Sequence, residues 1–185
     1  MLHAATDPGE LDAGRLAKAL AVLRIFVGSI FLLNGLAKLF GWSTVKVGPY
    51  VANLIDRDAV GFILDFEVNR NPAGGEPGTL LPGLGGLVND VLLPNIEVFA
   101  WLVTIVELVV GFLLVLGLLS RGAALVALGQ VLFLALVYFS SNRWLFEQPH
   151  EYVPAAILAV VSSGYVWGLD GQLNLDRAQR RRWPF

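Results

Sequence analysis

The chain has 185 residues, 56% hydrophobic and 15% charged, with 20 glycines in addition, no cysteine and a formal charge of −2. Soluble domains average about 45–50% apolar with glycine included and about 25% charged, so this composition exceeds what a globule of one domain's length can bury and implies lipid as a second solvent. It excludes thiol–disulfide catalysis, thiolate zinc sites and cysteine-ligated iron–sulfur clusters, and the lack of a basic field argues against nucleic acid as a partner.

At the N-terminus, Asp7-Pro8-Gly9-Glu10 has the form of a helix start, with an N-cap, Pro at N1 and Glu at N3. A short interfacial helix is expected there, leading into the first span. A crossing helix needs about 20 largely apolar residues. Four windows approach this: 20–40, 96–119, 123–139 and 152–169. The expected fold is therefore all-α: an integral membrane four-helix bundle forming a single membrane domain over 1–185, with a long outer insert at 41–93 and a tail at 170–185.

Within the insert, Val51, Leu54, Ile55, Ala59, Phe62, Ile63 and Phe66 recur at helical spacing, with Asn53, Asp56, Arg57, Asp65 and Glu67 largely opposite. This predicts an amphipathic, mildly acidic helix. Capping of the bundle is favoured over lying on the membrane, because an acidic interfacial helix gains nothing from anionic lipid. The Gly- and Pro-rich stretch from Asn71 to Pro94 reads as loop.

Arg15, Lys18, Arg121, Arg177, Arg180, Arg181 and Arg182 fall on one side of a four-span topology. Lys46, Arg57, Arg70 and Arg143 fall on the other, in much longer sequence. The excess predicts a multi-pass plasma-membrane protein with both termini cytoplasmic. The acidic N-terminal segment, with no clean cleavage site after the apolar run, is unlike a signal peptide. The terminal Arg180-Arg181-Arg182-Trp183 reads as a membrane-surface anchor.

Ionisable groups inside spans default to functional candidates. Glu107 lies at the middle of window 96–119, roughly 21 Å along the helix from Arg121. There it must be neutral, paired or hydrated. Asn34 on span one and Gln130 on span three fall at similar depth and could join it in a buried polar layer. Such a layer fits either proton chemistry or simple fixing of helix register. Arg24 and Lys38 mark the two ends of span one and read first as interfacial anchors, Lys38 snorkelling outward beside Trp42. Arg24, Gly28, Phe31, Asn34 and Lys38 share one helix face, as do Glu97, Trp101, Thr104, Glu107 and Gly111. Ser162 and Ser163 are expected to bond back to their own helix.

Beyond span three, Arg143, Glu147, His150 and Glu151 could line a polar mouth. His150 could carry a proton, although a loop histidine is more often merely solvated. Arg143 with Glu147 or Glu151 could equally just order the loop. With His3 and His150 alone, a bis-histidine haem is not expected, and no metal, iron–sulfur or nucleotide motif occurs.

The ordered set Arg24-Ile25-Phe26-Val27-Gly28, Phe31-Leu32-Leu33-Asn34-Gly35, Lys38-Leu39-Phe40-Gly41 and Glu107-Leu108-Val109-Val110-Gly111 resembles the DoxX/DoxD-like membrane proteins. Leu114, Gly117, Arg121, Ala123-Ala124, Glu151-Tyr152 and the segment from Gly168-Leu169-Asp170 to Leu175-Asp176 extend the resemblance through the four spans. It implies a four-helix membrane subunit of an oxidoreductase system. DoxD is a component of thiosulfate:quinone oxidoreductase, and other members are associated with membrane redox-stress complexes. Arg24, Lys38, Glu107, Arg121 and Glu151 match characteristic positions without bringing a catalytic role with them. The long insert suggests kinship to the larger DoxD-like branch, or a dedicated outer partner.

The leading expectation is a quinone-facing subunit that works with other membrane redox subunits. Quinone is the expected cofactor, Asn34 or Gln130 bonds its head group, and Glu107 donates or accepts a proton. The alternative is a non-catalytic scaffold or accessory subunit of a larger respiratory or redox-stress complex. A small transporter ranks below both, because no broken-helix pair or inverted repeat is evident.

Overall fold

The computed structural model describes residues 8–70, 79, 81–141 and 149–173. Helix α1 runs unbroken from Pro8 to Phe40. The separate interfacial helix expected before span one is therefore absent. No Gly–Pro pair or polar cluster interrupts the helix-forming run from Leu16 to Leu23, so the segment continues into the span. At about 1.5 Å per residue, α1 is roughly 50 Å long and outreaches a hydrocarbon core of about 30 Å.

A hairpin follows, β1 (Thr44–Val47) paired antiparallel with β2 (Tyr50–Asn53), Val47 opposite Tyr50. Helix α2 spans Ala59–Asp65 and continues as a π-helical segment, Phe66–Arg70. This corrects the expected amphipathic helix at its N-terminal end. Val51 is in a strand and Leu54 lies beyond it, because β-branched and aromatic residues flanking Gly48 favour a hairpin over helical periodicity. The buried face is corrected as well: Phe62 and Phe66 of the expected apolar set are exposed, because the helix begins only at Ala59 and turns a different stripe to the core. Val60, Leu64 and Val68 are buried against Leu84, Val88, Ala100 and Val137, so the insert caps the bundle.

The expected loop up to Pro94 is also corrected. Helix α3 (Leu84–Gly86) leads through a π-helical segment (Leu87–Leu92) and a 3-10 turn (Leu93–Asn95) into α4 (Ile96–Leu116). Glycine content favours loop, but Val88 and Leu84 are buried in one cluster with Val60 and Leu64 of α2, and tertiary burial overrides propensity. Asn69 and Asn89 clasp the two π-helical segments by reciprocal amide hydrogen bonds of 2.8 and 3.0 Å.

Helix α5 runs from Ser120 to Val137, followed by a 3-10 turn, Tyr138–Ser141. Helix α6 covers Pro149–Val160 and ends there. Ser163–Tyr165 forms a 3-10 turn, and α7 is the short helix Leu169–Gln172. The fourth apolar window is thus helical only in its first half. Among the described residues, three helical stretches are long and apolar enough to cross a membrane: Asp12–Phe40, Leu84–Leu116 and Ser120–Val137. The protein is an all-α membrane protein with a shorter fourth helix packed on α5.

Phe26, Leu33, Ile105, Val109, Phe112, Val126 and Leu132 are exposed on the long helices. Such a surface suits lipid, which solvates apolar side chains at no cost. The interior holds Val27, Phe31, Val110, Leu114, Ala123, Ala124, Ala127, Ala155 and Leu158. Its small residues permit close helix contact.

Glycines set the α1–α4 contact. A Cβ on Gly28 would stand 2.8 Å from the Leu114 Cβ and the Val115 nitrogen, and one on Gly35 2.8 Å from the Leu108 nitrogen. At Gly111 it would strike the Leu32 backbone. Gly111→Ala is therefore expected to cost about 1–3 kcal/mol, because two backbones must separate. Gly129→Ala has no heavy atom within 4 Å of the new methyl and should gain up to about 1 kcal/mol from helix propensity. Thermal unfolding in detergent would separate the two, and equal effects would contradict the packing described.

Candidate functional site

Lys38 sits in the last turn of α1 and Glu107 in the middle of α4. The close α1–α4 packing brings them together, at 4% and 6% exposure respectively. Lys38 Nζ lies 2.9 Å from Glu107 Oε2 and donates to Oε1 at 3.1 Å. Gln130, on α5, donates through Nε2 to the same Oε1 at 2.9 Å. The expected snorkelling of Lys38 is thereby corrected. A long flexible stem reaches inward as readily as outward, and a buried carboxylate rewards the inward direction. Trp42 stacks on Phe40 instead.

Glu107 and Gln130 do share a layer, as their depths predict. Asn34 does not join it by hydrogen bonding. Its Nδ2 donates to the Ile30 carbonyl at 3.0 Å, one turn back on its own helix. Even so, Asn34, Lys38, Glu107 and Gln130 all line one cavity of about 480 Å³. Its walls are apolar: Phe26, Val27, Ile30 and Phe31 from α1, Phe99 and Val103 from α4, Val131, Phe133 and Leu134 from α5. Ile55, Val60, Ile63 and Leu64 of the insert close one end. Phe26 and Ile30 are also exposed on the lipid-facing surface, so the cavity reaches the lateral surface of the bundle.

His150 and Glu151, in the first turn of α6, also line this cavity. His150 is exposed, with Nε2 3.9 Å from Glu151 Oε1. Helix α6 is not one of the spanning helices, and burial there pushes the Glu151 carboxyl up from its ordinary value, partly offset by His150. Arg143 and Glu147 lie outside the described residues. No group of histidine and carboxylate side chains that could hold a metal occurs among the described residues.

Arg24 is not an interfacial anchor. It is fully buried, donating through Nη1 to the Ser163 carbonyl at 2.7 Å and through Nη2 to the Trp167 carbonyl at 2.9 Å. A second buried cluster follows from this. Asp170 Oδ1 accepts from the Leu119 N–H at 2.8 Å, and Oδ2 from the Ser120 N–H and hydroxyl at 3.2 and 3.0 Å. The Ser120 hydroxyl in turn accepts from the Gly164 N–H at 3.1 Å. Asp170 thus caps the N-terminus of α5 from a distant segment and interacts electrostatically with Arg24.

Gly117 makes this junction possible. It ends α4 at φ +65°, with the Leu118 N–H bonded to the Leu113 carbonyl at 2.9 Å, and a side chain there would strike Arg24. Leu119 and Trp167 carry positive φ on either side of the cluster, each bonded into it through its backbone. Composition and periodicity did not expose this cluster. The available signal was an acid just past the last apolar run, on the same side of the topology as the Leu119–Arg121 turn.

The DoxX family model matches residues 72–140. That interval contains α4, α5, Glu107, Gln130 and the Gly117 junction, while Arg24, Lys38 and Asp170 lie outside it. No curated protein and no solved structure matches the chain.

Proposed function

We propose, with the DoxX family membership supported by that match as the premise, that the chain is a quinone-facing membrane subunit of an oxidoreductase system. DoxX proteins are membrane proteins often associated with oxidoreductase-related functions. The carrying observation is the apolar cavity of about 480 Å³ that reaches the lateral surface of the bundle and ends on Lys38, Glu107 and Gln130. A pocket of that size with a few convergent polar groups suits a small lipid-delivered ring. The Lys38 ammonium, which lines this end of the cavity, is a hydrogen-bond donor toward a ring oxygen, which supports the fit of a polar head group.

A quinone, when bound, supplies two-electron chemistry at its ring oxygens. Lys38 holds a proton beside the cavity, and Glu107 can take it up or pass it on within hydrogen-bond reach. The apolar walls orient the ring and exclude bulk water. Electrons come from a partner subunit that carries the redox centre, or from a soluble substrate oxidised by such a partner. Placement in the plasma membrane with cytoplasmic termini and kinship to the DoxD-like branch belong to the same proposal.

The test is equilibrium binding of a decyl-substituted benzoquinone to the protein in nanodiscs. Ile30→Trp, at the lateral opening, is expected to weaken binding by about tenfold through overfilling. Undiminished affinity in that variant would place the ligand elsewhere and sink the assignment. Failure of the parent protein to bind, combined with recovery of a stoichiometric complex, would favour the scaffold role.

A further inference from the structure

The cavity floor carries a hydrogen-bonding polarity that the quinone-facing reading does not itself specify. A carboxylate ion-paired with Lys38 can only accept, so Gln130 meets Glu107 with its NH2 end. This orients the amide. Among the described residues, its carbonyl oxygen, Oε1, is left buried and unpartnered on a residue that lines the cavity, and Glu107 Oε2 faces only the Lys38 ammonium. Asn34 spends a donor on the Ile30 carbonyl, which leaves its Oδ1 as an acceptor. Lys38, the cation at this end, is drawn to both oxygens of Glu107. Tyr138 also lines the cavity but lies roughly 12 Å further along the axis from Gln130, too far to serve the same ring oxygen. His150 and Glu151 are contributed by α6 rather than by the floor.

We infer that this floor selects the reduced form of its ligand: a hydroquinone whose ring hydroxyl donates to Gln130 Oε1, in preference to the quinone. The inference rests on the quinone-facing reading. A hydroquinone hydroxyl satisfies the orphan acceptor, whereas a quinone carbonyl sets two oxygen lone pairs against each other. Leaving a buried acceptor unpaired corresponds to a preference of about tenfold or more. Tighter binding of the reduced form raises the midpoint potential of the bound couple, by about 30 mV for each tenfold.

Anaerobic binding of a decyl-substituted benzohydroquinone and of the matching benzoquinone to the parent protein in nanodiscs tests this without any variant. The hydroquinone is expected to bind about tenfold more tightly, with a redox titration of the bound couple shifted upward. In Gln130→Leu the preference should disappear, the two forms binding alike. Equal or tighter binding of the quinone by the parent protein overturns the inference and leaves the quinone-facing reading standing. A hydroquinone preference that survives in Gln130→Leu overturns the role of Gln130. Failure of both forms to bind overturns the inference and the quinone-facing reading together.

Discussion

Glu107→Leu is expected to destabilise the protein by about 3–5 kcal/mol, because it leaves the Lys38 ammonium buried without its counter-charge. The parent geometry explains the size of the effect. Lys38 is 4% exposed and its nitrogen touches both carboxylate oxygens, so the variant removes its charge partner at a buried position. Gln130 also loses the acceptor for its Nε2. Lys38→Met alone strands the carboxylate and should cost a similar amount. Combining Lys38→Met with Glu107→Leu removes both charges, and the double variant is expected to return to within about 1–2 kcal/mol of the parent. Unfolding of all four proteins in one detergent system closes the thermodynamic cycle. Additive single effects would mean that the pair is not coupled.

Asp170→Ala should be comparably damaging, again about 3–5 kcal/mol, for a related reason. The carboxylate caps α5 through the N–H groups of Leu119 and Ser120, and its charge favours the buried Arg24 guanidinium. Alanine leaves these buried donors unsatisfied and Arg24 uncompensated at zero exposure. Asp170→Asn keeps an acceptor but loses the charge, so an intermediate loss is expected. Thermal unfolding orders the three proteins, and limited proteolysis reads the release of the C-terminal segment directly. If Asp170→Ala melts with the parent, the cluster does not hold the end of the bundle.

Both results depend on charges that one-dimensional reasoning handles poorly. Glu107 was recognisable as a candidate because a carboxylate in an apolar window has few tolerable states. Gln130 followed from its depth. For Lys38, helix position gives distance from the midplane but not the direction in which a flexible stem points, so the sequence favours the outward direction that the structure reverses. Arg24 was assigned to the interface because its acceptors, the Ser163 and Trp167 carbonyls, come from a segment about 140 positions away. Asp170 escaped notice for the same reason. The hairpin at 44–53 lies where local β preference outweighed a plausible helical period.

What the sequence determined by itself is the solvent and the class of structure. An apolar excess divided into windows of about 20 residues is satisfied by helices in lipid, since lipid offers no hydrogen bonds and a helix bonds its own backbone groups. Which glycines seat a neighbouring helix was not part of that: those at 28, 35 and 111 join α1 to α4, while Gly129 meets nothing. Only the tertiary structure decided that the fourth apolar window breaks after Val160, that Lys38 turns inward, and that Asp170 caps α5. These outcomes share one physical cause. A buried charge or an orphaned backbone group takes the partner that packing brings within about 3 Å, and separation along the chain does not encode that partner.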